Sequence, residues 1–94
     1  MRIIFMETAC DPAKAAANYR KHGVRFVDAI QALQDDFAIS IEDPDSSGEY
    51  RFISLCMDGL ARILVVVHTQ RGDTTRIISA RKASPREAEQ YHAR

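Results

Sequence analysis

The chain has 94 residues, enough for one domain with a single modest core. Its 13 basic and 13 acidic side chains give a formal net charge of zero, which argues against a protein that coats nucleic acid through many phosphate contacts. No apolar run is long enough to cross a bilayer, the N-terminus lacks the pattern of a signal peptide, and two cysteines are too few for a disulfide scaffold. We therefore expect one cytoplasmic domain over residues 1–94.

The first half of the sequence predicts a short strand and two helices. Weak alternation over Arg2–Met6 indicates the strand. Asp11-Pro12 supplies a cap and a first-turn proline for a helix that ends at His22-Gly23, where glycine suits the left-handed position. An apolar stripe predicts a second helix from Phe26 to Gln34.

The second half predicts four strands and a closing helix. Ser84, Pro85 and Glu87 supply an N-cap, a first-turn proline and a capping-box partner for that helix. Because the strands are joined by short turns, the sheet should be an antiparallel meander, and the domain belongs to the α+β class. We expect the helices on one face and a polar ligand platform on the other. The predicted strands are 37–41, 49–56, 61–69 and 75–80.

Charge is distributed unevenly. The charged side chains from Asp28 to Glu49 are all acidic, whereas cations dominate from Arg51 onward and at the end of the first helix. Strand periodicity puts Arg76 with Ile78 and Ala80 on one face, and Arg81 with Ile77 and Ser79 on the other. An arginine within a strand indicates either an anion held on the sheet or a solvent-facing side chain; spacing alone does not choose between them.

The candidate chemistry is metal-free RNA cleavage. No metal-ligand spacing and no nucleophile motif occurs; His68 at a strand end is expected to be structural, and Cys56 to lie in the core. Arginine matches phosphate oxygens in a bidentate manner, and cleavage needs a base, an acid and fixed positive charge. Glu49 shares the strand face of Arg51 and is either the base or an ion-pair partner. The candidate cations and neutral bases are Lys21, His22, Arg51, Arg76, Arg81 and Lys82.

Three segments together resemble the BrnT ribonuclease toxins: DPAKAAANYRKHGVRFVDAI, the ExR of residues 49–51, and VVVHTQRGDTTRIISARKASPREAEQY. The resemblance implies a RelE-like fold with two N-terminal helices and a C-terminal helix. It also implies RNA cleavage that inhibits translation and needs no cofactor. A BrnA-like antitoxin would neutralise the protein, and operator DNA would be contacted only through that antitoxin. Cys10 replaces the aromatic residue that the family usually has before the Asp-Pro. The residues carried over are Lys21, His22, Glu49, Arg51, Arg76 and Arg81, which we infer to be catalytic. Arg20 and Lys82 are expected to bind RNA.

The sequence is compatible with two other functions. The basic surface could serve only to bind an antitoxin, with the protein acting as a catalytically weak interaction module. Direct DNA binding by this chain alone is disfavoured, because the sequence has neither a helix-turn-helix pattern nor a net positive charge.

Overall fold

The computed structural model describes residues 7–9, 11–44 and 50–93. The described chain contains three helices and one five-stranded sheet with strand order β1-β5-β4-β3-β2. Strands β2 to β5 form the predicted antiparallel meander, and the short β1 adds a parallel pair at the β5 edge. The elements are β1 (Glu7–Ala9), α1 (Pro12–His22), α2 (Phe26–Ala32), β2 (Ile39–Glu42), β3 (Arg51–Met57), β4 (Ile63–Arg71), β5 (Thr74–Lys82) and α3 (Pro85–His92).

Three sequence predictions fall on residues outside the described ranges. The strand predicted over Arg2–Met6 is one of them, and β1 lies just after it. The other two are the position of Cys10 and that of Glu49.

The helix ends follow the capping signals read from the sequence. Asp11 accepts a hydrogen bond from the Ala13 amide at 2.9 Å, and Gly23 closes α1 at φ +70° with its N–H donating to the Tyr19 carbonyl. Ser84 and Glu87 form a complete capping box at the start of α3. These local interactions fix where the helices begin and end independently of the sheet.

Helices α1 and α2 cover one face of the sheet. The core is aliphatic apart from one aromatic ring and one thiol, and it contains Val24, Phe26, Ala29, Ala32, Cys56, Leu64, Val66, Ile77 and Ala80. Cys56 is fully buried, as predicted, and burial raises the pKa of its thiol to about 12, with a further increase from Asp35 and Asp58.

The face assignment predicted for β5 is wrong because the β4–β5 pairing contains a bulge. His68 pairs with Ile77 and Val67 pairs with Ser79, so Ile78 has no partner on β4. The extra residue reverses the alternation, and Ile77 and Ala80 are therefore both buried on the helix-covered face. Arg76 and Arg81, which strict alternation separates, lie together on the opposite face.

That opposite face is neither free of helices nor polar. Helix α3 packs over it, and a cavity of about 390 Å³ between α3 and the sheet is lined mainly by aliphatic side chains. Tyr91 anchors the helix through a hydrogen bond from its hydroxyl group to Asp35, which also accepts from the Met57 amide. The prediction of a polar platform fails because isoleucine, leucine and valine occupy its central positions. The cavity is lined by Ile39, Ile41, Ile53, Leu55, Val65, Val67, Arg81, Glu87 and Gln90.

The Asn18 side chain forms hydrogen bonds with the β5 backbone beyond the point where β1 ends. Its amide group donates to the Ala80 carbonyl at 2.9 Å and to the Val24 carbonyl at 3.0 Å, and it accepts from the Ala80 amide at 3.1 Å. Since β1 pairs with β5 only as far as Arg76, the Asn18 side chain replaces a strand partner farther along β5. This contact fixes α1 to the sheet.

Candidate anion-binding site

Three polar side chains form a row across the helix α3 face of the sheet. Thr69 on β4 pairs with Arg51 on β3 and with Arg76 on β5, so the hydroxyl group lies between two guanidinium-bearing residues. Directly paired residues on neighbouring strands have their Cβ atoms about 5 Å apart and on the same face. The two arginines can therefore approach one anion from both sides of Thr69.

Two atoms of this row lack hydrogen-bond partners. The Thr69 side chain is 1% exposed, and both its Oγ1 and the buried Nε of Arg51 have no partner among the described residues. Arg76 is exposed. A buried polar group without a partner costs about 1–3 kcal/mol, which is the kind of defect that a bound ligand relieves. Both atoms are buried from solvent, so a phosphate or carboxylate oxygen reaches them only when a neighbouring side chain moves aside.

Thr69 was not among the residues selected from the sequence. The signal for it was present in the turn Gly72-Asp73, because a two-residue turn pairs Arg71 with Thr74 and then Thr69 with Arg76. Sequence analysis placed the arginines by face and missed the residue between them.

Arg81 shares the face but not the site. Its guanidinium forms a bidentate ion pair with Glu87, with nitrogen–oxygen distances of 2.8 and 2.9 Å. The hydrogen bond from Arg81 is the main reason that the pKa of Glu87 falls to about 2, and the same bond raises the pKa of Arg81. Arg81 pairs with Val65, four residues from Thr69 on β4, or about 13 Å away at the usual rise per residue. Of the three strand arginines among the predicted catalytic residues, the structure therefore places Arg51 and Arg76, but not Arg81, beside Thr69.

Arg20, Lys21 and His22 form a second cationic group in the last turn of α1. Their side chains make no hydrogen bond or ion pair with any other described residue. Asn18, one turn earlier, is bound to Ala80 rather than to the row. Lys82 is exposed at the end of β5, also outside the row. Among the described residues, the predicted catalytic side chains therefore lie at three places: the row, the Arg81–Glu87 pair and the end of α1.

Several residues near Lys21 and His22, in the first segment that resembles the BrnT family, have structural roles. Asn18 is bonded to Ala80, Gly23 occupies the left-handed cap, and Val24 and Phe26 are buried in the core. No comparable role is evident for Lys21 and His22 beyond the favourable placement of cations at a helix C-terminus.

His68 makes one hydrogen bond and has one ring nitrogen without a partner among the described residues. Its Nε2 lies 2.8 Å from the Ser54 hydroxyl oxygen, which in turn lies 2.7 Å from that of Ser40, while the buried Nδ1 has no partner among the described residues. Burial lowers the pKa of His68, so the imidazole is neutral at physiological pH. Phe52 stacks on the His68 ring at a centroid distance of 5.7 Å.

Within the described ranges, no group of three or more histidine, cysteine, aspartate or glutamate side chains is arranged to hold a metal ion. None of the helices described is long and apolar enough to cross a membrane.

The architecture is shared with a solved toxin structure. The crystal structure of the Brucella abortus ribonuclease toxin BrnT aligns with a TM-score of 0.66 at 24% identity, covering 85% of this chain and 99% of the other. A search of curated proteins finds no match.

The sequence also matches, over residues 10–87, the family model described as the ribonuclease toxin BrnT of type II toxin–antitoxin systems. This chain therefore belongs to the BrnT family of ribonuclease toxins, as its motifs predicted.

Proposed function

We propose that this chain is an endoribonuclease that cleaves RNA without a metal ion, blocks translation, and is neutralised by a BrnA-like antitoxin. The observation that carries the proposal is the Arg51–Thr69–Arg76 row, with its buried unpartnered donor and hydroxyl group, in a member of a ribonuclease toxin family. Operator DNA would be contacted only through the antitoxin.

The row would bind the scissile phosphate. Arg51 and Arg76 reach the non-bridging oxygens from two strands and offset the charge that develops as the 2′-oxygen attacks phosphorus. The Thr69 hydroxyl donates to a third oxygen. Fixed donors of this kind cost no reorganisation during the reaction, and the loss of one typically lowers the rate by about 10²–10³-fold.

Proton transfer is assigned to Glu49, which is two residues before Arg51 in the chain, with His22 or Lys21 as the alternatives because α1 covers the face of the sheet opposite the row. One group must take the proton from the ribose 2′-hydroxyl, and another must give a proton to the 5′-oxygen that leaves. Lys21 and His22 make no hydrogen bond or ion pair with another residue of the described ranges, whereas Arg81 is engaged by Glu87. Arg81, Arg20 and Lys82 are therefore proposed to attract and orient the RNA, not to touch the reacting atoms.

An in vitro cleavage assay tests the proposal. The purified chain should cut a labelled RNA in the presence of a metal chelator, and the Arg51→Ala and Arg76→Ala variants should each lose at least about 10²-fold in rate. Arg86→Ala is the matched control, because Arg86 is an exposed arginine of α3 away from the row. Full activity in the double variant Arg51→Ala/Arg76→Ala would refute the assignment.

A second candidate is a catalytically weak module that binds an antitoxin. The aliphatic cavity beneath α3 favours it, because Ile41 at the β2 edge is 58% exposed and could contact a partner's apolar side chains. This function predicts antitoxin binding with no RNA cleavage, so the same chelator assay separates the two candidates.

A further inference from the structure

A ladder of three rings runs along the sheet end that carries the arginine row. Tyr50 stacks on Phe52 with ring centroids 6.3 Å apart and planes inclined by 12°, and Phe52 stacks on His68. Tyr50 is the outer ring and is 69% exposed. Since one side of its ring is turned to Phe52, the other side is open to solvent.

The ladder is rigid at its inner end and open at its outer end. Phe52 and His68 are paired residues of β3 and β4, and the His68 ring is held by the hydrogen bond to Ser54. An aromatic side chain supported in this way loses little freedom when a ligand stacks on it. Exposing such a ring is costly in water, so its open side suits a flat ligand.

The ladder lies at the same end of the sheet as the Arg51–Thr69–Arg76 row. This position indicates what kind of flat ligand binds to the open ring. Tyr50 directly precedes Arg51, and successive residues of an extended chain point to opposite faces. The Tyr50 ring therefore lies on the opposite face of this sheet end from the Arg51 guanidinium, and an RNA strand that passes around the end contacts both. Single-stranded nucleic acids commonly bind through arginine contacts to phosphates combined with stacking of bases on aromatic side chains.

We propose that Tyr50 is a stacking platform for an unpaired nucleobase of the RNA, on the strand that continues around the sheet end from the phosphate held by Arg51. The inference rests on the proposed function in that it takes the ligand to be RNA. It adds a subsite that selects single-stranded RNA, because a base within a duplex has no free face to offer the ring. The contribution is largely independent of sequence, since every base has a π-face.

Binding of a non-cleavable 2′-O-methyl RNA oligonucleotide tests the subsite separately from catalysis. Tyr50→Ala should weaken binding by about 5- to 100-fold, the usual loss for one base–aromatic stack, whereas Tyr50→Phe should bind like the original chain. Phe37→Ala is the matched control, because Phe37 is equally exposed at 69% but lies by α3, in the pocket formed with Tyr91 and His92. An oligonucleotide with an abasic nucleotide at the contact position should bind the original chain and Tyr50→Ala with equal affinity.

Fluorescence supplies a second measurement. The chain contains no tryptophan, so Tyr50→Trp introduces a single reporter whose emission should be quenched by single-stranded RNA and much less by a duplex. Unchanged affinity in Tyr50→Ala, or no quenching of Tyr50→Trp by a bound oligonucleotide, overturns the platform even if RNA cleavage is confirmed. Weakened binding in Tyr50→Ala together with no cleavage by the original chain supports the platform and refutes only the proposed function.

Discussion

Replacing Asn18 by alanine should remove the hydrogen bonds that hold α1 to the sheet and so lower the free energy of unfolding. The side chain is 7% exposed and makes three hydrogen bonds, two to Ala80 and one to Val24. A net hydrogen bond between neutral groups stabilises a protein by about 1 kcal/mol, so the loss of three should lower the free energy of unfolding by about 3 kcal/mol. The loss is a large part of the about 5–15 kcal/mol available to a small domain.

The measurement is urea and thermal unfolding followed by circular dichroism. A loss of about 3 kcal/mol corresponds to a decrease in Tm of about 12–24 °C for a domain of this size. Asn18→Asp keeps the shape but turns a carboxylate oxygen toward the Val24 and Ala80 carbonyl groups, so at neutral pH it should destabilise the fold at least as much as Asn18→Ala. Gln34→Ala, a similar truncation of an exposed residue at the end of α2, is the control. A loss below about 1 kcal/mol in Asn18→Ala would refute the view that this amide completes the β5 edge.

Three further predictions concern function, pH and reactivity. Thr69→Val should leave Tm unchanged or slightly raised, because its buried hydroxyl has no described partner, yet it should reduce RNA cleavage about 10-fold; a lower Tm with full activity would contradict this. The pKa of Glu87 is about 2 in the folded chain against an ordinary 4.5, so its pairing with Arg81 stabilises the fold above about pH 4.5 and is lost as pH falls through about 2. Relative to Glu87→Gln, the original chain should therefore lose about 1 kcal/mol between pH 5 and pH 2 in acid titrations of unfolding, and parallel curves would argue against the pair. In a Cys10→Ser background, Cys56 should react with a thiol reagent at pH 8 only as fast as the chain unfolds, and rapid labelling under native conditions would show that the thiol is accessible.

Local signals in the sequence predicted the elements well because their causes are local. Asp11, Gly23 and the Ser84–Glu87 box act within one helical turn, so their effects can be read from adjacent residues. Short turns likewise predicted the meander, because a short connection places successive strands side by side in antiparallel orientation. The family resemblance depended on the same segments and is confirmed by the match over residues 10–87.

The composition of the candidate site needed tertiary structure. The bulge at Ile78 depends on how β5 packs against β4, and it brings Arg76 and Arg81 to one face against the strict alternation of the sequence. The partner of Arg81 is on a helix that folds over the sheet, and no spacing rule distinguishes an arginine paired with Glu87 from one that is free to bind RNA.

Sequence alone therefore determined the class, the element order and the family of this protein, because caps, turns and motif residues act over a few positions. Only the fold decided that Arg51, Thr69 and Arg76 share a row, that Arg81 is engaged elsewhere, and that Tyr50 presents an exposed ring at the same end of the sheet. The physical reason is that strand register, bulges and ion pairs between elements join residues far apart in the chain, where no local pattern records the partner.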